Sequence, residues 1–366
     1  MNSRSARPRI EWIDVAKGFC IALVVLGHTV EWYSRAFTGS EPEIWSFLWI
    51  GLRPLRMPLF FMISGMLAVG AMRKPYRELW SKTGGLYALY CLWQIIYCVK
   101  LALPGGREGL PYPDAAQILG AFLLPTTLWY IWALPVFYTL AWVLDRWLGK
   151  NSVYALIPML ALAIAAPWIG QATENMLGPP LFVVQSRAVP GNLVWFYLGL
   201  QARPLITGIA AGTTLPRLLA STALALAVIV LVRYFDDDRL LVVATPFVLW
   251  AALEWLGRVR ADAPYARPLA KVGRNTLPVY VLHTFVLTGL SFVVRALHIG
   301  DRLPVSAMWL QIVLPVCMTA ALVVACLWAG RLFARMGLGF LTEPAPSPFR
   351  SRKPRAELVA ADRATL

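Results

Sequence analysis

The feature that most constrains this chain is a series of long apolar runs with almost no charged residues. Residues 152–169 and 313–329 are examples, and each approaches the ~20 residues that a helix needs to cross a bilayer. Hydrophobic residues make up 58% of the 366 residues and charged residues 14%, whereas soluble domains contain roughly 45–50% and about 25%. The alternative is a soluble protein with unusually apolar helices. We predict an all-α, polytopic membrane protein.

The distribution of basic residues indicates how these runs cross the membrane. About ten transmembrane helices are predicted, near residues 12–33, 46–72, 84–103, 117–144, 152–170, 181–200, 215–232, 240–257, 275–295 and 305–330. With the N-terminus in the cytoplasm, 22 of the 34 Lys and Arg residues fall in cytoplasmic segments, 5 in outer loops and 7 within the helices. Because cytoplasmic loops carry the excess of Lys and Arg, this split predicts a multi-pass inner-membrane protein with both termini in the cytoplasm.

Composition also assigns the domains and the partners. Residues 1–11 form the predicted cytoplasmic N-terminus, 12–335 the transmembrane domain, and 336–366 a cytoplasmic tail expected to be disordered. Topology accounts for the net charge of +15, so the lipid bilayer is an expected partner and nucleic acid is not. The five cysteines lie in apolar runs and form no Cys/His cluster, so neither disulfides nor a metal site is expected.

The first predicted helix carries three ionisable residues on one face. From Lys17 to His28 there are eleven steps of about 100°, which end about 20° past three full turns, and Asp14 to His28 ends about 40° short of four. His28 is a candidate general base, because imidazole has an unperturbed pKa near 6.5. It could instead be a structural histidine bonded between helices. Lys17 could be a snorkelling residue, and Asp14 its partner one turn away.

The second predicted helix places arginine deep in the membrane. Arg53 and Arg56 lie beside Pro54 and Pro58, two prolines that are expected to break or kink the helix. Counting from the inner helix ends puts Arg56 about 24 Å deep, His28 about 21 Å and Arg187 about 20 Å. Intramembrane ionisable residues usually face a cavity or a partner. We therefore predict that these side chains share one cavity.

Aromatic and histidine residues at two other helices are weaker signals. Trp129 belongs to an aromatic cluster with Tyr130 and Trp132, which is typical of a membrane-interface belt but could form a platform for a sugar. His283 lies near the start of the ninth predicted helix. Alone, neither feature defines a function.

Taken in order, these segments resemble the motifs of a known family. Asp14 to His28 resembles the Arg/Lys-x10-His signature that opens the membrane acyltransferase-3 family, and is most similar to its fucose O-acetylase-like branch. Further segments resemble its later motifs: 57–65, 128–131, 187–190 with 195–199, and 273–283, which contains Asn275, Tyr280 and His283. The resemblance covers about residues 10–335. The sequence departs from the pattern at Lys17, where many members have Arg, at Arg56, where this branch often has His, and at Thr276, which replaces Ser.

The resemblance implies an acyl-CoA-dependent O-acyltransferase. The donor would be acetyl-CoA on the cytoplasmic side, used as a co-substrate with no bound cofactor, and the acceptor a glycan or lipid-linked sugar. His28 would be the general base, Arg56 would stabilise the oxyanion or hold the acceptor, and Asp14 would complete the catalytic set. Lys17 with Arg73, Lys74 and Arg77 would bind the CoA phosphates, although the last three also satisfy the positive-inside rule. The candidates for substrate binding are Trp129, Arg187, Asn275, Tyr280 and His283.

Several alternatives stay open at this point. A transporter or exporter of an acylated or glycan-related substrate would also carry buried Arg and His, although no internal repeat is visible. A non-catalytic membrane scaffold of the same fold is a third possibility. Within the enzyme class, succinyl or a longer acyl group could replace acetyl, and an acyl-histidine intermediate could replace the direct transfer that we prefer.

Overall fold

The computed structural model describes residues 11–102, 115–177, 185–235, 237, 240–260, 263–298 and 308–344, and every regular element within these ranges is helical. The α-helices are α1 Glu11–Tyr33, α2 Glu43–Met72, α3 Tyr76–Ala102, α4 Ala115–Leu123, α5 Trp129–Leu148, α6 Leu156–Leu177, α7 Ala188–Gln201, α8 Arg203–Ala211, α9 Leu215–Phe235, α10 Leu241–Gly257, α11 Ala266–Arg274, α12 Thr276–Ala296 and α13 Met308–Arg335. A π-helical turn, Ser34–Thr38, follows α1, and two 3-10 turns lie at Gly149–Ala155 and Gly339–Leu341. The predicted all-α class is confirmed.

Within the described ranges, six helical segments are long and apolar enough to cross a membrane. They are Trp12–Thr38, Glu43–Met72, Trp129–Met176, Leu215–Phe235, Thr276–Val294 and Met308–Arg335. Two shorter apolar helical segments, Thr83–Val99 and Leu241–Gly257, accompany them. The chain is therefore a polytopic helical membrane bundle, as predicted. The number of spans and the side on which each terminus lies stay predictions, and residues 1–10 and 345–366 lie outside the described residues.

One predicted helix is in fact two. Residues 117–144 divide into α4 and α5, with a break between Leu123 and Trp129 that contains Pro125. The side chains of α3 satisfy the polar groups of this break. The Tyr90 hydroxyl accepts a hydrogen bond from the Thr126 N–H (3.3 Å), and Gln94 donates to the Thr126 hydroxyl (2.7 Å). The prediction of a single helix was wrong because proline lacks the N–H donor that the helix interior requires.

Two other expectations need correction. Of the break or kink expected at Pro54 and Pro58, the break is wrong, because α2 continues through both prolines, as membrane helices can when neighbouring helices surround the freed backbone groups. Arg187 does not lie within a helix, because it is the N-cap residue of α7, which begins at Ala188. The first part of that predicted span, residues 178–184, lies outside the described residues.

Glycines bring two pairs of helices into backbone contact. A methyl group on Gly18 of α1 would overlap the carbonyl oxygen of Leu269 in the first half of α11. A methyl group on Gly65 of α2 would overlap the carbonyl oxygen of Phe196 in α7. Small residues allow this close approach, which strengthens packing where no water drives helices together. These crossings hold α1 and α2, the two helices that carry His28 and Arg56.

An aromatic cluster forms the core where α2, α5 and α7 meet. The ring centroid of Phe61 is 5.0 Å from that of Phe137, which lies 5.7 Å from Phe196. Phe61 also packs against Tyr130 and against Trp129 at 5.4 Å. The cluster therefore supports the first turn of α5.

Candidate active site

A cavity of about 520 Å³ opens between seven helices, and most of the sequence-predicted site residues surround it. Its walls come from α1, α2, α5, α6, α7, α10 and α12. The lining residues that the sequence predicted are His28, Arg56, Trp129, Arg187, Tyr280 and His283. The structure thus places the predicted base, two deep arginines and three residues of the later motifs around one space, although more than 250 positions separate the first from the last.

Two histidines face each other at this cavity. The ring centroids of His28 and His283 are 5.2 Å apart. His283 is 1% exposed, and its Nδ1 lies 2.9 Å from the carbonyl oxygen of Val279. Because a carbonyl can only accept, Nδ1 of His283 carries the proton and Nε2 carries a lone pair. Within the described part of the chain, this buried Nε2 has no hydrogen-bond partner, a state that a bound hydroxyl group would relieve.

A carboxylate lies next to the other histidine. Nδ1 of His28 is 3.4 Å from Oε2 of Glu31, and Glu31 is also paired with Arg35. The His28 side chain is 47% exposed, so the ring is open to a substrate. A carboxylate beside Nδ1 favours the proton on that nitrogen and leaves Nε2 as the basic atom, the arrangement found in catalytic triads. The contact is long, as catalytic hydrogen bonds often are before substrate binds.

Arg56 lies between the cavity and an aromatic face. Its Cζ is 5.3 Å from the ring centroid of Trp49, within the range of a cation–π contact. The guanidinium packs over Gly27, where a side chain would overlap its Nη1 atom. Among the described residues, no carboxylate forms an ion pair with Arg56. Its N–H donors are therefore directed to cavity space and Trp49.

Tyr130 and Tyr280, two tyrosines of the motif segments, position Trp129. The Tyr280 hydroxyl accepts the backbone N–H of Tyr130 (3.1 Å) in the first turn of α5. The Tyr130 hydroxyl is 3.0 Å from Oγ of Ser64 in α2. Three motif segments are thus joined by hydrogen bonds, and Trp129 at the start of α5 is held at the cavity wall. Ser64 of α2 takes part in this network.

The structure does not bring the other predicted residues to the cavity. Asp14 lies about 21 Å from His28 along α1, fourteen residues away, and its Oδ2 is 4.0 Å from Nη1 of Arg274. Lys17 is on the same part of α1 and does not line the cavity. Asn275 ends α11, where its side chain donates to the carbonyl of Lys271 (2.9 Å). Asp14 is therefore placed to hold α1 against α11 rather than to assist His28.

The predicted CoA-binding cluster lies at the turn between α2 and α3. Arg73, Lys74 and Arg77 are exposed there, and Nζ of Lys74 is 2.8 Å from Oε2 of Glu78. The Lys74 carbonyl accepts a hydrogen bond from the Trp142 indole of α5 (2.9 Å). This cluster follows the last residue of α2, whereas Arg53 lies in the first half of that helix.

Sequence reasoning missed several polar residues of the site. Gln185, Asn192, Thr245 and Thr284 line the cavity, and Glu31 lies beside His28 at its edge. Asn192 donates to the carbonyl of Ala188 (2.7 Å) and leaves its Oδ1 buried without a partner among the described residues. They could have been identified from the sequence as polar residues within apolar runs. Glu31 was also identifiable, because it lies one turn after His28 on the same helix.

The helical membrane bundle and the match to a family model together identify a membrane acyltransferase. The chain belongs to the acyltransferase-3 family, since the family model described as an acyltransferase domain matches residues 10–331. A similar protein is the inner membrane protein YcfT of Escherichia coli (strain K12), which is 25% identical over 307 residues, 75% of this chain and 79% of its own. No solved structure matches the chain.

Proposed function

We propose that this protein is an inner-membrane O-acyltransferase that moves an acetyl group from acetyl-CoA to a hydroxyl of a cell-surface glycan or lipid-linked sugar. The observation that carries this proposal is the single cavity that joins His28 and His283 with Arg56 and Arg187. Membership of the family supports acyl transfer, and the inner-membrane name of YcfT supports the location.

His28 is the general base of the proposed reaction. Its Nε2 removes the proton from the acceptor hydroxyl while that oxygen attacks the carbonyl carbon of the thioester. The carbon–sulfur bond then breaks, and the CoA thiolate takes the proton back from the imidazolium. Glu31 holds the ring and stabilises its charged form, and a positioned base of this kind contributes about 10²–10⁴ in rate.

Arg56 supplies the positive charge for the transition state. The thioester oxygen becomes negative when the acceptor attacks, and a guanidinium already fixed beside the histidine stabilises that charge without reorganisation. Arg187, at the N-cap of α7, lies on the same cavity and holds either the oxyanion or the acceptor. Trp129 offers an apolar face to a sugar ring, and the lone pair of His283 accepts a hydrogen bond from a sugar hydroxyl.

The donor enters from the end of the bundle that carries Lys17, Arg73, Lys74 and Arg77. Their positive charges suit the CoA phosphates, while the pantetheine arm carries the thioester along α1 towards His28. From Lys17 to His28 this path is about 16 Å long by helix rise. The direction from cytoplasm to cavity follows from the distribution of basic residues.

The experiment that tests the function is transfer of labelled acetyl from acetyl-CoA into the envelope glycan fraction. Membranes would contain wild-type protein or His28→Ala at equal protein level. Label that the wild type incorporates and the variant does not supports the proposal. Equal incorporation would mean that His28 is structural. If neither acetyl-CoA nor succinyl-CoA labels any glycan, the enzyme proposal is wrong, and a transporter becomes the better hypothesis.

A further inference from the structure

A second cavity, of about 330 Å³, adjoins the catalytic cavity at the end of α1. It is formed by the end of α1, the π-helical turn, the following loop and the first half of α2. Arg53 and Arg56 line both cavities, so the two spaces meet at these side chains. The proposed reaction uses only the first cavity.

The charge around the second cavity is positive in excess. Arg35, Arg53 and Arg56 face two carboxylates, Glu31 and Glu41. Glu31 is already held between His28 and Arg35. The adjoining first cavity carries a further guanidinium, that of Arg187. Their positive potential attracts an anion, and low-dielectric walls strengthen that attraction.

Arg56 is the strongest single indication of a ligand. It is half-buried on a membrane helix, and within the described ranges it forms neither an ion pair nor a hydrogen bond to a side chain. Its cation–π contact with the Trp49 ring stabilises the positive charge but gives the five N–H donors no acceptor. Intramembrane arginines of this kind mark substrate sites, and the planar guanidinium fork matches a carboxylate or a phosphate.

Gly27 makes room for this arrangement. It precedes His28 and lines the second cavity, and a side chain at this position would overlap the Arg56 guanidinium. An anion bound by Arg53 and Arg56 therefore lies next to the proposed base. A sugar that carries this anion, on itself or on the neighbouring unit, would place one of its hydroxyls at His28.

We propose that the second cavity binds an anionic group of the acceptor, a carboxylate or a phosphate, and so selects acidic sugars or phosphate-linked sugars over neutral ones. This inference rests on the proposed function, because it specifies the acceptor of the same reaction. The two sources of the anion are a uronic-type sugar and the pyrophosphate of a polyprenyl-linked sugar.

The first test compares matched acceptors with purified full-length protein in detergent. One pair is a glucuronate-containing oligosaccharide and its glucose counterpart, and the other is a polyprenyl-pyrophosphate sugar and the same sugar as a neutral alkyl glycoside. We expect one anionic acceptor to be preferred in kcat/KM by about 10-fold or more, the effect of one hydrogen-bonded charge. Whichever pair shows the preference identifies the source.

The variants connect the preference to the cavity. In Arg53→Gln the preference for the anionic acceptor should fall by about 10-fold, and in Arg53→Lys, which keeps the charge, it should fall less. Arg233→Gln is the matched control, because Arg233 is exposed and lines neither cavity. Equal use of neutral and anionic acceptors by the wild type would overturn the inference while the acyltransferase function stands.

A binding measurement keeps the inference testable without turnover. Thermal unfolding of the full-length protein would be followed with added glucuronate and with added pyrophosphate. Stabilisation of the wild type and of Arg233→Gln by either anion, with loss in Arg53→Gln, supports the site even if no acceptor is acylated. No stabilisation by either anion, together with no acceptor preference, would refute it.

Discussion

Replacing Gly27 with alanine tests whether the position of the Arg56 guanidinium matters for transfer. The new methyl group would overlap Nη1 of Arg56, while Cζ of Arg56 and ring carbon Cη2 of Trp49 lie at 3.5 and 3.6 Å from it. Non-bonded carbon and nitrogen atoms rest at about 3.5 Å, so Nη1 must retreat by about 1 Å. The atom ends a flexible side chain and can move without moving backbone.

We expect Gly27→Ala to lower the rate of transfer rather than the stability of the protein. A displacement of about 1 Å in a catalytic group can lower the rate about 100-fold, which corresponds to about 2.7 kcal/mol of lost transition-state stabilisation. Helix propensity acts in the other direction, since alanine is favoured over glycine by about 0.5–1 kcal/mol in a helix interior. Gly27→Ala should therefore fold as well as the wild type and transfer acetyl about 100 times more slowly.

The assay is the initial rate of acetyl transfer from labelled acetyl-CoA, with thermal unfolding measured in the same detergent. Gly70→Ala is the matched control on α2, because nothing lies within 4 Å of a methyl group there. A wild-type rate in Gly27→Ala would refute the role given to Arg56. Loss of folded protein would show that the guanidinium cannot retreat, and equal losses in both variants would indicate a general effect of alanine.

Three further substitutions test the rest of the site. Glu31→Gln should lower kcat by about 10-fold or more with little change in KM, because the amide cannot stabilise a charged His28; an unchanged kcat would remove Glu31 from the mechanism. His283→Phe keeps an aromatic ring at this position but removes the unpaired Nε2. Transfer should therefore fall while the melting temperature in detergent does not. Equal decreases in both would indicate a packing role. Gly65→Ala should lower the folded yield and the melting temperature, because its methyl group would meet the Phe196 carbonyl of the backbone and neither helix can move aside; a normal melting temperature would contradict the close crossing of α2 and α7.

The shared cavity was predictable because helix rise converts sequence position into depth. Counting residues from the helix ends placed His28, Arg56 and Arg187 at similar heights, and all three line the cavity. A polar side chain within an apolar run faces the interior of the bundle rather than the lipid. Depth and polarity together were therefore enough to select these three residues from the chain.

The periodicity that places Asp14 and His28 on one face of α1 does not bring both to the cavity, and the reason is physical. Helical periodicity fixes the direction in which a side chain points but says nothing about what lies opposite it at each height. Asp14 and His28 share a face of α1, yet Asp14 meets Arg274 of α11 and His28 meets His283 of α12. Only the packing of the neighbouring helices decides which residues on one face belong to one site.

Backbone crossings, rather than side-chain pairs, hold the catalytic geometry of this protein. His28 has one long contact to Glu31 and Arg56 one aromatic contact, so neither residue is fixed by a dense hydrogen-bond network. Their positions depend on the helices, and those are locked where Gly18 of α1 meets α11 and Gly65 of α2 meets α7. Interlocked helices deform little, since close-packed interiors transmit strain instead of absorbing it. The backbone positions that carry His28 and Arg56 are thus held at a fixed separation.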